Sequence, residues 1–165
     1  MLGIDPGSLV TGYGVVEGDA NRLVYVASGG IRTRPSDSLS DRLKVIYDGL
    51  NEVIARYVPE GAGVENIFHS HNVQSALKLG HARGVALLAV VNAKLPVAEY
   101  LPMEVRKAVV GTGHADKEQV QKMVQLLLQH TCDRGYDASD ALAVAICHFY
   151  SYRMAERLKR LQGGR

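Results

Sequence analysis

The sequence predicts an α/β fold: a mixed sheet, an antiparallel meander followed by parallel strands, with helices on both faces. Three observations predict it. Three β-rich runs lie close together before residue 29, separated only by turn-forming residues. From residue 39 the apolar spacing changes to steps of three and four. Beyond that point short apolar runs alternate with long amphipathic ones, the pattern that sets parallel strands between helices.

The elements follow in order. Residues 2–5 are a short apolar run stopped by Pro6-Gly7. Residues 11–17 are β-rich with alternating glycines, residues 18–21 are a turn, and residues 23–28 resume the strand pattern. Only Met1 and Leu2 precede Gly3, so the first strand is expected either to fray or to continue upstream. Leu39, Leu43, Ile46, Tyr47, Leu50, Val53 and Ile54 mark an amphipathic helix over 39–57, with Ser36, Asp37 and Ser38 as N-cap candidates. Residues 63–67 form a short strand. Residues 72–94 form a helix rich in small residues (Ser75, Ala76, Gly80, Ala82, Gly84, Ala86, Ala89), suited to close approach by the sheet or by another subunit. Residues 96–101 form a strand and 103–110 a short helix. Asp116 to Gln119 is a capping box opening a helix to about residue 129, and the last helix covers 137 to about 160.

Length and composition bound the function. The chain has 165 residues, of which 47% are apolar and 22% charged, as expected of one globular domain. No apolar run is long enough to cross a bilayer, and the start lacks the basic-then-apolar pattern of a secretory signal. Cys132 and Cys147 cannot build a disulfide framework, so a cytoplasmic setting is the expectation, and both read as small core residues. Net charge is only +2, but residues 151–165 hold five basic residues against Glu156, leaving +4 there and −2 elsewhere. Residues 1–150 are therefore expected to be the domain, and 151–165 a basic helix end, either a solvated surface or an arm near phosphates.

Four acids stand out. Asp5 ends the first strand, where α/β folds place ligands, although Asp before Pro also starts turns. Glu65 lies within an apolar strand; it is either an edge residue facing water or a buried carboxylate requiring a cation. Asp137 and Asp140 share a face at the start of the last helix, where taken alone they read first as N-terminal capping acids, with a pair of ligands for one divalent ion as the alternative. Four such carboxylates tolerate proximity only around cations, and an all-oxygen set selects Mg²⁺ or Mn²⁺. With no nucleophilic Ser or Cys beside a partnered His, this constellation suits two-metal hydrolysis of a phosphodiester.

The motifs Gly3-Ile4-Asp5-Pro6-Gly7-Ser8, Thr11-Gly12-Tyr13-Gly14, Glu65-Asn66-Ile67-Phe68, Ser75 to Gly80 with Ala82-Arg83-Gly84, Val109-Val110-Gly111 and Asp137 to Ala143 resemble, in order, the RuvC family of bacterial Holliday junction resolvases. The resemblance implies a ribonuclease-H-like nuclease domain over 1–150. It also implies a homodimer that nicks four-way DNA junctions symmetrically, leaves 5′-phosphate ends, and works with RuvA and RuvB in recombination and DNA repair. It makes Asp5, Glu65, Asp137 and Asp140 the catalytic, metal-binding acids for two Mg²⁺ ions, with Mn²⁺ as substitute. Phe68 becomes a base-stacking residue, with a core aromatic as the ordinary alternative. Asn72, Arg83, Arg106, Lys107 and Lys117 become DNA-binding residues. The family's best-known members carry Lys where this chain has Arg106-Lys107, which leaves open which of the two meets the scissile phosphate. His69 and His71 suit a polar DNA-facing loop better than zinc, because no third ligand has the right spacing.

Two other functions fit parts of the sequence. A Gly-x-Asp-x-Gly opening strand also occurs in actin-like and sugar-kinase ATPases, but those need a second domain to clamp the nucleotide. A junction-binding protein without catalysis is the other, and the presence of all four acids argues against it.

Overall fold

The computed structural model describes residues 1–19, 22–66, 72–130 and 136–162. Its elements are β1 (Leu2–Asp5), β2 (Val10–Gly18), β3 (Leu23–Arg32), α1 (Leu39–Tyr57), β4 (Ala62–Glu65), α2 (Val73–Asn92), β5 (Val97–Tyr100), α3 (Pro102–Val110), α4 (Lys117–Leu128) and α5 (Tyr136–Gln162). The five strands form one sheet in the order β3-β2-β1-β4-β5. β1, β2 and β3 pair antiparallel, while β4 and β5 join in parallel. This is the mixed sheet expected from the sequence.

The expectation that β1 frays is corrected. β1 lies in the middle of the sheet, paired on both sides, and Leu2 and Ile4 are fully buried. A four-residue strand holds because each neighbour satisfies one edge of its backbone. The last helix continues unbroken past residue 150 to Gln162.

Strand alternation sorts side chains to two faces. Leu2, Ile4, Val15, Ala27, Ala62 and Val64 face α1 and α2, where Ile46, Leu50, Val53, Ala82, Ala86 and Val90 complete one core cluster. Val16 faces the other side, with Val105, Val109, Val120, Val124 and residues 142–147 of α3, α4 and α5. That second face carries glycines where the strands meet α5. A Cβ on Gly3 would stand 2.2 Å from Ala145 N, one on Gly12 2.3 Å from Asp137 O, and one on Gly14 2.7 Å from the Leu142 backbone. Glycine alone lets the α5 backbone lie directly on β1 and β2.

The helix ends are explained by local chemistry. Ser38 caps α1 through Asp41 N at 3.2 Å. Asp116 and Gln119 form the expected capping box of α4, with bonds of 2.8 and 3.0 Å. Among the described residues no helix is long and apolar enough to cross a membrane.

Candidate active site

Asp5 and Glu65 come together because of register. The last registered pair between β1 and β4 is Ile4↔Val64, so the next residue on each strand is an acid. Both acids share the face of Gly3 and Gly63, which is the face covered by α5. The glycine contacts that seat α5 bring its first turns, with Asp137 and Asp140, over the same strand ends. Asp5, Glu65, Pro102, Val105, Arg106, Lys117, Val120, Asp140 and Ala143 line a cavity of about 220 Å³ there.

The electrostatics are those of crowded acids. Burial, and then the charges of Glu65, Asp140 and Asp137, push the Asp5 carboxyl up to about 8. Burial and Asp140 also raise Glu65, while a hydrogen bond with Asp5 and the charges of Arg106 and Lys117 pull it back. Asp5 and Glu65 are thus hydrogen-bonded to each other through a shared proton. Lys117 Nζ donates to Asp140 Oδ2 at 3.2 Å, and the Asp140 charge holds the ammonium above its ordinary range.

Every donor in the cavity that a metal ion would use is a carboxylate oxygen, which fits a hard divalent cation. The proton held by Asp5 is the signature of charge that such a cation would neutralise. Among the described residues no three acid, His or Cys side chains are arranged as a ready coordination cage. Asp140 is engaged with Lys117 instead, and Asp137 acts on Asp5 at longer range without lining the cavity.

The other expected site residues separate into groups. Arg106 lines the cavity; Lys107, its neighbour, is exposed and does not. Asn72 is the N-cap of α2, accepting from Gln74 N and Ser75 N. Arg83 is not brought to the acids. Its guanidinium pairs with Glu99 of β5, which by register with Val64 lies on the α2 face of the sheet. Phe68, His69, His71 and Cys132 lie outside the described residues. Cys147 is buried, and burial pushes its thiol up to about 11, which keeps it an unreactive core group.

Sequence reading missed a supporting pair beneath Glu65. Tyr100 is the register partner of Glu65, and its hydroxyl is 3.0 Å from His148 Nδ1. Burial pushes His148 down to about 4, so the imidazole is neutral. Gly63 leaves room for both rings, since a Cβ there would stand 2.9 Å from His148 and 3.0 Å from Tyr100. The sequence signal was a glycine inside an apolar strand, which marks close approach by a neighbour.

The family model described as "Crossover junction endodeoxyribonuclease RuvC" matches residues 1–148. The chain is 58% identical over 158 residues to the protein of that name from Syntrophotalea carbinolica, covering 96% of this chain and 98% of the relative. It is 54% identical over 162 residues to that of Geobacter metallireducens, covering 98% and 99%. Among solved structures, Thermus thermophilus RuvC in complex with a Holliday junction substrate superposes with a TM-score of 0.87 at 36% identity, covering 93% of this chain and 94% of that one.

Proposed function

From the premise that this chain belongs to the RuvC family of crossover junction endodeoxyribonucleases, we propose that it resolves four-way DNA junctions by paired hydrolytic nicks. The observation that carries this reading is the convergence of Asp5, Glu65 and Asp140 on one cavity at the carboxyl ends of β1 and β4, with Asp137 beside it. Family membership also sets aside the ATPase reading.

Two Mg²⁺ ions held by Asp5, Glu65, Asp137 and Asp140, or Mn²⁺ in their place, would supply an activated water and charge neutralisation at the leaving 3′-oxygen. The chain's own residues do the rest. The ionised carboxylates leave no proton to compete with water once Asp5 has lost its own. Arg106 and Lys117, on one flank of the cavity, hold the non-bridging oxygens of the scissile phosphate by charge-assisted hydrogen bonds. Arg106 takes that role ahead of Lys107 because it alone of the two lines the cavity. Phe68 stacks on a base opened at the crossover, an interaction worth about 1–3 kcal/mol.

Symmetric nicking requires two copies. α2 offers the surface: Leu43, Val73, Ala76, Leu77, Gly80 and Gly84 line an open apolar groove of about 670 Å³ between α1 and α2. Val73, Leu77, Leu88 and Val91 are exposed beside it. An apolar helix face of this kind is what an isologous dimer buries. RuvA and RuvB deliver the junction to that dimer, in the cytoplasm.

The test is cleavage of a mobile four-way junction of synthetic oligonucleotides with Mg²⁺, with incisions mapped on all four strands. The expected result is symmetric nicks in two strands of like polarity, each leaving a 5′-phosphate. Binding without incision would favour the non-catalytic junction binder.

A further inference from the structure

One basic residue on the acid face has no role so far. Arg32 is the last residue of β3. Ile31 packs towards α1, where it meets Gly49, so alternation turns Arg32 to the α5 face. The register agrees: Arg32 pairs with Val10, and Gly30 pairs with Gly12, whose missing side chain faces Asp137. Asp5 pairs with Gly12 on the other side of β2. Along this end of the sheet, Arg32, Val10, Asp5 and Glu65 therefore rise from consecutive strands on one face. Two strand spacings set the Arg32 backbone about 10 Å from β1, on the opposite side of the acids from Arg106 and Lys117.

Gly12, between Asp5 and Gly30 in register, is covered by the Asp137 backbone, and the sheet opens beyond it at Gly30. Gly30 is exposed, and a Cβ there would meet only Val10 Cγ1, at 2.9 Å. Arg32 is exposed, and its side chain makes no hydrogen bond or ion pair among the described residues. Its strand end is nevertheless fixed. Thr33 N donates to Leu9 O at 2.9 Å and Thr33 Oγ1 to Ser8 O at 2.9 Å. Arg42, itself buried, donates through Nε to Thr33 Oγ1 at 3.2 Å and to Ser8 O at 3.1 Å. An unpaired guanidinium on a rigid strand end, on the acid face and just beyond the start of α5, is arranged to receive an anion that leaves the acid cavity past that helix end.

We propose that Arg32 binds the backbone of the cleaved DNA strand at a phosphate neighbouring the scissile one, the strand lying over Gly30 and Val10. This rests on the nuclease reading and names the second flank of the same site. The planar fork of Arg grips phosphate oxygens in pairs, and the flat floor lets the sugar-phosphate chain come close.

The experiment is salt-dependent binding of a synthetic four-way junction by fluorescence anisotropy, in an Asp5→Asn background that prevents cutting. Salt runs from about 50 to about 200 mM. Arg32→Ala is expected to flatten the plot of log affinity against log salt by about 0.7–0.9 per protomer. Arg32→Lys keeps the slope. Gly30→Val weakens binding without changing the slope, because it crowds the floor and removes no charge. Arg22→Ala, at the other end of the same hairpin, matches the background. An unchanged slope in Arg32→Ala, or an equal flattening in Arg22→Ala, overturns the proposal. Failure of the background to bind the junction at all overturns the nuclease reading beneath it, and a background that binds while Arg32→Ala leaves the slope intact overturns the Arg32 role alone.

Discussion

On the face that carries Asp5 and Glu65, α5 lies so close to the strands that a Cβ on Gly3 would stand 2.2 Å from Ala145 N. On the other face α2 meets the sheet through side chains, with Ala82, Ala86 and Ala89 fully buried, and turns Gly80 and Gly84 outward with nothing within 4 Å. The first face is a backbone-to-backbone contact that leaves α5 no freedom to slide, and this fixes Asp137 and Asp140 over the ends of β1 and β4. The second is an aliphatic layer of Ile46, Leu50, Val53 and Val90 whose outer helix still shows apolar side chains. Close contact serves geometry, where small errors in carboxylate placement are costly. The looser face suits adhesion, the role proposed for it, because there summed apolar area matters more than any one position.

Removing charge from the tight face has the largest expected effect. Asp5→Asn, Glu65→Gln, Asp137→Asn and Asp140→Asn should each lower junction cleavage by about 10³-fold, because charge stabilisation of several kcal/mol in the transition state is lost. Junction binding should survive, since the phosphate contacts proposed for Arg106 and Lys117 do not depend on these carboxylates. Single-turnover cleavage alongside anisotropy checks this, and near wild-type cutting by any one variant would remove that residue from the mechanism.

A pair of glycine substitutions probes the packing itself. Gly3→Ala forces a methyl into the α5 backbone and should cost about 3 kcal/mol or more. Gly84→Ala enters open space within a helix and should stabilise the chain by up to about 1 kcal/mol. Urea midpoints measure both, and similar midpoints for the two variants would mean that the α5 backbone does not bear on Gly3 as closely as the structure has it. On the looser face, the proposed dimer should sediment as such in the unsubstituted chain, and Leu77→Glu should convert it to a monomer. Two like charges facing each other across a two-fold axis cost several kcal/mol, or about 10²-fold or more in association. The monomer should nick one strand of the junction without its symmetric partner.

The two faces also differ in how far the sequence revealed them. The periodicity of residues 39–57 marks α1 to both ends, because an amphipathic helix writes its buried stripe into the chain. Asp5 and Glu65 were legible as acids in places where an acid needs a reason, whereas Asp137 and Asp140, ordinary acids for a helix start, became candidates only beside them. Three things were not legible. The sequence marks β1 only as a short terminal run, and its central position depends on strand order, which no local pattern encodes. The Arg83–Glu99 and Lys117–Asp140 pairs join residues on different elements, so neither has a sequence spacing to detect. The alternating glycines of β2 were visible as strand residues, but what they make room for is α5, which lies more than 120 residues further along the chain.

The crowding of acids on the tight face has a thermodynamic consequence that the looser face lacks. Asp5 titrates near 3.9 in an unfolded chain and is pushed up to about 8 in the folded one by burial and by its acidic neighbours. Between those values the folded state holds the extra proton, so stability falls as pH rises through that window. The penalty is absent below about pH 4 and complete above about pH 8. Metal-free protein should therefore melt several degrees lower at pH 9 than at pH 6, and Asp5→Asn should flatten that dependence while raising the melting temperature at pH 9. Each kcal/mol corresponds to about 2–4 °C in a chain of this size. Added Mg²⁺ or Mn²⁺ should restore stability most at high pH, where it replaces no proton, and least at pH 6, where binding must first displace one. Melting curves at the two pH values, with and without the ion, provide the measurement. A pH-independent increment from the ion would mean that Asp5 is not among its ligands, and the tight face would then owe its crowding to packing alone.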